Sequence, residues 1–405
     1  MATSFKALKL TDRVYWVGAI DWGLRNFHGY ETSRGTSYNA YLVMGEKPAL
    51  IDTVKGDFYD EMMSRIATVM NPADIRYVVS NHAEMDHSGG IPRFLKEFAP
   101  EKVFASTQGQ LALDAHFGIG DRITAVKTDD RLELGGATLR FIETRMLHWP
   151  DSMFAYFEED GVLFSNDAFG MHLASSERFT DELDPWIIRQ ECAKYYANIL
   201  LHLSPIVQKL LEKLPSLNLD VKLIASDHGP IWRRDFDQIL RWYGEWAGRK
   251  ATNRAVVIYD TMWKSTAKMA SAVGDGLVDG GAAVELMPLS GVHRSDVVTR
   301  LLDAGALLVG SPTMNNQIYP TVADVMNYLK GLKPKGLVGA AFGSFGWSGE
   351  AVSHLDGLMQ EMGVELVQPG LRCKYVPDGA ALAACHELGR SVAARLRQLI
   401  DPSTP

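Results

Sequence analysis

The stretch His82-Ala83-Glu84-Met85-Asp86-His87 sets two imidazoles and two carboxylates within six residues, directly after the strand-like run Arg76–Ser80. A loop leaving a strand end can turn several side chains toward one point. A strand would alternate them between its faces, and a helix would spread them around its circumference. Imidazole nitrogens and carboxylate oxygens gathered this way are ligands for transition metals. The plain alternative is a solvated polar turn ahead of a helix at Ser88, but such turns seldom need two histidines. Three further candidates have like settings: His148 after Thr138–Glu143, Asp167 after Val162–Ser165, and His228 in Ala225-Ser226-Asp227-His228-Gly229-Pro230 after Lys222–Ala225. Each alone reads as a packed or surface residue. Their repeated position past a strand end predicts one metal-filled mouth shared by His82, Glu84, Asp86, His87, His148, Asp167 and His228.

A second set of loops lies in the C-terminal half. The strand-like Ala255–Tyr259 runs through Asp260 into Thr261-Met262-Trp263-Lys264-Ser265-Thr266 and then a helical Ala267–Ala272. Hydroxyls and backbone amides at a helix N-terminus suit a phosphate, although Ser and Thr also cap helices that bind nothing. Ser311-Pro312-Thr313-Met314-Asn315-Asn316 follows a third strand, and Gly343-Ser344-Phe345-Gly346-Trp347-Ser348-Gly349 follows a fourth. Small residues there allow backbone amides to approach a planar ring, and Trp347 is able to stack on one; a structural turn with a packed Trp is the competing reading. Three such loops at the carboxyl ends of successive parallel strands form the expected ligand crevice of an open α/β sheet.

The elements that must position these loops fall into two halves. Residues 13 to about 165 are rich in short strands: Arg13–Gly18, Tyr38–Met44, Ala49–Asp52, Arg76–Ser80, Lys102–Ala105, Thr138–Glu143 and Met153–Phe157. Glu159-Asp160-Gly161 and Gly135-Gly136 are hairpin turn signals. Helices are expected over Phe58–Met70, Pro92–Glu97 and Ile187–Leu214. Strands in two layers with helices outside account for this pattern. Past the polar stretch 248–253 come five continuous apolar runs separated by helices: Ala255–Tyr259, Ala283–Pro288, Ala306–Gly310, Gly336–Phe342 and Glu365–Val367. Such runs are strands buried on both faces of a parallel sheet. The boundary is expected at 250/251, with an α/β metal domain before it and a flavodoxin-like doubly wound domain after it.

With 405 residues the chain exceeds what one core usually supports. A net charge of -8 argues against nucleic-acid or anionic-membrane partners, which reward clustered Lys and Arg. Residues 1–20 do not read as a signal peptide, and no apolar stretch is long enough to span a bilayer. Cys192, Cys373 and Cys385 are far apart and never form a CxxC pair, which fits a reducing cytoplasm and excludes a fused rubredoxin or zinc-ribbon module. The tail 401–405 is expected to fray.

The HxExDH loop with its later His, Asp and His resembles the metallo-β-lactamase fold family, whose dinuclear sites use an HxHxDH loop. Glu84 stands where the zinc hydrolases of that family carry a second histidine, and the variant resembles the flavodiiron proteins, or A-type flavoproteins. A carboxylate in place of an imidazole makes the site harder and more oxygen-rich, which favours iron over zinc. Thr261–Thr266 resembles the first phosphate loop of flavodoxins, with Trp263-Lys264 in place of the usual Thr-Gly. The two-domain order matches flavodiiron proteins over roughly residues 4–400.

That resemblance implies an αββα sandwich followed by a five-stranded flavodoxin-like sheet. It implies two irons, one held by His82, Glu84 and His148 and the other by Asp86, His87 and His228, with Asp167 bridging. It implies FMN in the C-terminal loops, and His28, Tyr195 and His172 around the bound oxygen species. The implied reaction reduces O2 to water or NO to N2O with electrons from an external donor such as rubredoxin. The implied assembly is a cytoplasmic head-to-tail homodimer or a dimer of such dimers. Two other readings remain at this stage: a dinuclear zinc hydrolase using the same seven ligands, and a flavin electron carrier or gas sensor with an inert metal site.

Overall fold

The computed structural model describes residues 5–401; most of the tail expected to fray therefore lies outside the described residues. The chain divides into two compact units. One comprises residues up to Tyr195 together with Pro205–Gly244, and the other takes Tyr196–Ser204 and everything from Glu245 onward.

The first unit is built on two sheets. One has seven strands in the order Leu8–Lys9, Val14–Trp16, Tyr41–Val43, Ala49–Ile51, Tyr77–Ser80, Lys102–Ser106, Ile123–Val126. The other has five, Arg131–Glu133, Thr138–Glu143, Met153–Phe157, Val162–Phe164 and Leu223–Ala225. Side chains alternate across each strand, and the alternation separates two cores. Tyr41, Val43, Ile51 and Val79 join Phe141, Ala155, Phe157 and Phe164 in a core between the sheets. Leu42, Leu50, Val78 and Val103 face the other way, into a core with Met62, Ile66, Phe94 and Leu113 from helices. The result is the expected αββα sandwich. Both turn signals hold: Met153–Phe157 pairs antiparallel with Val162–Phe164 across a left-handed Gly161, and Arg131–Glu133 pairs with Thr138–Glu143 across left-handed Gly135 and Gly136.

Several elements differ from expectation. The helix expected over Phe58–Met70 runs Tyr59–Ile66. A helix Thr107–Phe117, capped by the Ser106 hydroxyl on the amide of Gly109, was not read from the sequence. The single helix expected over Ile187–Leu214 is broken into Pro185–Tyr195, a π turn Tyr196–Leu200, a 3-10 turn Leu201–Leu203 and Ser204–Lys213. The break is tertiary in origin. Asn198 donates to the Ser295 carbonyl (3.2 Å) and accepts from the Tyr328 hydroxyl (2.9 Å), both in the second unit. A straight helix would surrender these bonds, and π turns inside helices mark such demands.

The second unit holds a parallel sheet in the order Ala283–Pro288, Thr252–Tyr259, Ala304–Gly310, Val338–Phe345, with two short strands, Glu365–Leu366 and Leu371–Lys374, both pairing along Val338–Phe345. In chain order this is 2-1-3-4-5, the flavodoxin-like arrangement. Ala255, Val257, Ala306 and Leu308 pack against Met269, Val273, Leu388 and Val392 of the helices Ser265–Asp279 and Gly379–Ile400. Alternating Val256, Ile258, Leu307 and Val309 are equally buried, so both faces of the sheet are covered. Among the described residues no helix is long and apolar enough to cross a membrane.

Candidate metal and cofactor sites

Four loops of the first unit carry the seven candidate ligands into two groups. His82, Glu84, His148 and Asp167 form one, and Asp86, His87 and His228 the other; within each group the potential ligand atoms lie within 4.8 Å of one another. Asp167 faces both. Its Oδ2 is 3.0 Å from His148 Nε2 and 3.5 Å from His82 Nε2, while its Oδ1 is 3.2 Å from His87 Nε2 and 3.4 Å from His228 Nε2. Glu84 Oε2 is 3.3 Å from His82 Nε2 and 3.4 Å from His148 Nε2, and Asp86 Oδ2 is 3.3 Å from His228 Nε2.

Hydrogen bonds inside the loops fix these positions. Asn81 donates its backbone amide (2.7 Å) and its side-chain amide (2.8 Å) to Asp52, at the end of the neighbouring strand, which aims the chain into residue 82. Ser88 closes the loop by donating to the Ala83 carbonyl (2.7 Å). Asn166 donates to the Met153 carbonyl (3.0 Å) and thereby holds the turn that presents Asp167. Asn39 spans the last loop, donating to the carbonyls of Ser226 (2.7 Å) and Gly229 (2.9 Å) on either side of His228.

The electrostatics call for cations. Burial by itself disfavours the charged forms of His82, His87 and Asp167. Against that penalty, the Asp151 and Glu84 carboxylates, accepting hydrogen bonds from the ring, hold the His82 imidazole up at about 10, and Asp86 and Asp167 hold His87 well above the usual range. Burial likewise opposes ionisation of Asp167, yet His87 and the bond from His148 keep its carboxyl well below the ordinary carboxylate value. Asp86 Oδ1 and Oδ2, Asp167 Oδ1 and His87 Nε2 are buried and make no hydrogen bond among the described residues. Buried charges are paired or bind metals, and converging nitrogens and oxygens with no hydrogen-bond partner fit a pair of cations. Three carboxylates and four imidazoles with no thiolate form a hard donor set that suits iron.

Of the three residues expected around the oxygen species, His28 is the exposed one: its side chain is 75% accessible and its Nε2 lies 3.5 Å from Glu84 Oε1. His172 is buried beside His228, with ring centroids 4.6 Å apart. Its Nδ1 meets the Thr36 hydroxyl at 2.9 Å, and burial followed by the neighbouring His228 pushes it well below the usual imidazole range, so it stays neutral. Tyr195 packs at 5.1 Å from His172, and burial followed by the Asp167 charge pushes its phenol up, so its proton stays on.

Three buried carboxylates behind the ligands were missed. Asp151 Oδ2 is 3.1 Å from His82 Nδ1, and Asp227 Oδ2 is 3.7 Å from His87 Nδ1. Asp52 braces Asn81, and burial pushes its carboxyl up to about 6. Each had a signal. Asp227 adjoins His228, Asp151 lies in the His148 loop, and Asp52 ends a strand, the same placement that singled out the ligands.

In the second unit a cavity of about 560 Å³ is lined by Met262, Trp263 and Ser265, by Pro312, Thr313, Asn315 and Asn316, and by Ser344, Phe345, Gly346, Trp347 and Ser348. All three expected loops therefore meet at one crevice. Thr261, Lys264, Thr266, Ser311, Met314, Gly343 and Gly349 flank the lining. Thr266 and Ser344 share a hydroxyl bond of 2.9 Å that ties the first loop to the third. Tyr375 and Val376 also line the cavity and were not foreseen. They follow the short strand Leu371–Lys374, so the strand-end rule would have found them had that strand been read. Trp263 and Trp347 are 90% and 85% accessible, two large aromatic faces left unpacked at the crevice. The Thr261 hydroxyl is buried with no hydrogen-bond partner among the described residues. Aromatic walls, polar loop ends and the N-terminus of the helix Ser265–Asp279 fit a planar cofactor carrying a phosphate.

Comparison with known proteins reaches both units. Residues 36–229 match the ODP family beta lactamase description, and residues 257–389 match the flavodoxin family. A nitric oxide reductase of Moorella thermoacetica is 46% identical over 96% of this chain and 98% of its own length. The solved rubredoxin oxygen:oxidoreductase of Desulfovibrio gigas is 41% identical with a TM-score of 0.96, covering 98% of this chain and all of that one. The flavodiiron protein of Giardia intestinalis is 34% identical with a TM-score of 0.94, covering 99% of both chains. Similarity of this extent, across both units, makes the chain a member of the flavodiiron protein family.

Proposed function

We propose that this chain is a flavodiiron oxidoreductase that reduces O2 to water or NO to N2O. The observation that carries the reading is the bridging disposition of Asp167, with one carboxylate oxygen turned to each ligand group. In the proposal His82, Glu84 and His148 hold one iron, Asp86, His87 and His228 the other, and Asp167 joins them. When bound, the iron pair supplies a shared redox change to one diatomic ligand, and FMN supplies electrons singly. The protein's own residues do the rest. Buried imidazoles and carboxylates hold the site in a fixed geometry that needs no reorganisation during reaction. His28, at the exposed mouth, is placed to pass protons inward, and Tyr195 keeps a proton to donate. His172, neutral and bonded to Thr36, packs the His228 ring in place. Trp263, Trp347 and the loops 311–316 and 343–349 hold the flavin.

The electron donor in this reading is a rubredoxin-like protein, as the name of the similar rubredoxin-oxygen oxidoreductase suggests. The assembly is a cytoplasmic head-to-tail homodimer, or a dimer of such dimers, in which each FMN stands beside the partner's irons. Glu84 argues against the zinc hydrolase reading. Protein loaded with iron and FMN and fed by reduced rubredoxin should consume O2 or NO under anaerobic control, and the ratio of the two rates sets its preference. Esterase or thioesterase activity with zinc, and no consumption of either gas with iron, refutes the proposal; full turnover by a monomer refutes the dimer.

A further inference from the structure

We infer that Asp151 is a positioning residue of the metal site, joining through one carboxylate oxygen the two loops that supply the first ligand group. His82 and Glu84 come from the loop after Tyr77–Ser80, and His148 from the loop after Thr138–Glu143. Asp151 belongs to the second loop but bonds the first. Its Oδ2 stands 3.1 Å from His82 Nδ1 and accepts the backbone amide of Ala83 at 2.6 Å. A single oxygen thus fixes the ring of residue 82 and the backbone immediately before Glu84.

The bond also sets the tautomer. His82 Nε2 points at Glu84 Oε2 and Asp167 Oδ2, 3.3 and 3.5 Å away, so Nε2 is the nitrogen presented to the metal. Nδ1 must then carry the hydrogen, and Asp151 is its acceptor. A carboxylate receiving the far N–H of a ligating imidazole orients the ring and makes it a stronger electron donor. The Trp149 ring stands edge-on to His82 at 5.1 Å and limits its rotation.

Asp151 is itself held from behind. Ser106, the cap of the helix Thr107–Phe117, accepts from the Gly109 amide (3.0 Å) and donates to the Asp151 carbonyl (2.7 Å). The Asp151 side chain is 3% exposed, so water does not compete for the bond. Among the described residues, His228 and His87 lack this support. His228 Nδ1 lies 2.7 Å from the Ser37 carbonyl, a neutral acceptor, and His87 Nδ1 is 3.7 Å from Asp227, beyond hydrogen-bond reach.

The inference rests on the proposed iron pair and is tested with two variants of the full chain. Asp151→Ala removes the acceptor, and Asp151→Asn keeps an oxygen able to accept both bonds while removing the charge. Iron affinity is read by competition with a chromophoric chelator, the potential of the iron pair by redox titration followed by EPR, and folding by circular dichroism and the FMN spectrum. Asp151→Ala should bind one of its two irons about 10- to 100-fold more weakly, the usual effect of losing such a partner. Asp151→Asn should keep both irons but show a higher midpoint potential, because loss of a nearby negative charge favours the reduced metal. A merely structural contact would lower the melting temperature of Asp151→Ala without a selective loss of one iron. Wild-type iron affinity in Asp151→Ala, or an unchanged potential in Asp151→Asn, overturns the inference. Wild-type protein that takes up no iron overturns the proposed function instead, so the two failures are distinct.

Discussion

Gly343→Ala is a small change with a large expected consequence. Gly343 lies within the strand Val338–Phe345 and outside the left-handed region, so alanine meets no backbone penalty there. At a tolerant position such a change stabilises a protein by about 0.4–1 kcal/mol, because the unfolded chain loses freedom. Here a Cβ would stand 2.0 Å from the Ser311 carbonyl oxygen and 3.0 Å from Val352 Cγ2, whereas ordinary contacts begin near 3.4 Å. The carbonyl must retreat by more than an ångström. Little around it can yield: the Ser311 amide donates to Phe342 O at 3.0 Å, and the Tyr319 amide donates to Ser311 Oγ at 2.9 Å. Overpacking of this kind costs typically about 1–3 kcal/mol, so the steric effect wins and leaves roughly 1–2 kcal/mol of net loss. Pro312 and Thr313, next in the chain, line the cavity and move with Ser311. If the loss falls on the flavin, FMN binds roughly 5- to 30-fold more weakly, at 1.4 kcal/mol per factor of ten. Quenching of FMN fluorescence during titration of the apoprotein measures it, and a thermal melt captures any part that falls on the fold. Iron content should not change, since Gly343 lies in the other compact unit. Wild-type FMN affinity together with a wild-type melting temperature refutes the close contact and the flavin wall derived from it.

Other expectations follow from single contacts. His148→Ala removes the imidazole 3.0 Å from Asp167 Oδ2; bound iron should fall and gas reduction should stop while the FMN spectrum stays intact, and retained activity refutes the ligand assignment. Trp347→Ala removes an exposed aromatic wall of the cavity; stacking of about 0.5–1.5 kcal/mol corresponds to roughly 2- to 13-fold weaker FMN binding, and an unchanged dissociation constant places the flavin elsewhere. Cys192, Cys373 and Cys385 are buried free thiols, and burial pushes Cys385 up to about 11. Native protein near neutral pH should resist iodoacetamide at all three until it unfolds, and rapid labelling contradicts their burial. Because the folded Cys385 holds its proton more tightly than the unfolded thiol, that contribution to stability is complete below about pH 9 and is lost as pH rises toward 11. A melting temperature that increases across this window contradicts the sign.

The candidate ligands that converge in the fold were legible because one rule located them all: a metal-capable side chain just past a strand end. The same rule located the loops that line the cavity of the second unit, since apolar runs such as Ala306–Gly310 mark buried parallel strands. It missed Tyr375 and Val376 because Leu371–Lys374 mixes Arg372 and Lys374 into a short edge segment that does not look buried. The edge strands Ile123–Val126 and Arg131–Glu133 were missed for the same reason: with one flank exposed, they need little apolar character. Asp151, Asp52 and Asp227 were passed over for another reason, although each lies beside a strand end or a candidate ligand. A carboxylate that braces a ligand is chosen by distance in the fold, and Asp151 reaches across 69 residues of sequence to His82. The break at 196–204 was equally hidden. Tyr195-Tyr196-Ala197-Asn198-Ile199-Leu200 has good helical character, and only partners in the second unit, Ser295 and Tyr328, demand that it unwind.

The account stands or falls on the identity and place of the metals. Crystals of protein produced with iron and FMN should show two anomalous peaks that appear on crossing the iron absorption edge and do not grow on crossing the zinc edge. One peak should sit among His82, Glu84 and His148, the other among Asp86, His87 and His228, with Asp167 between them and flavin density beside Trp347. Zinc at those positions, a single ion, or metal elsewhere on the chain contradicts the account.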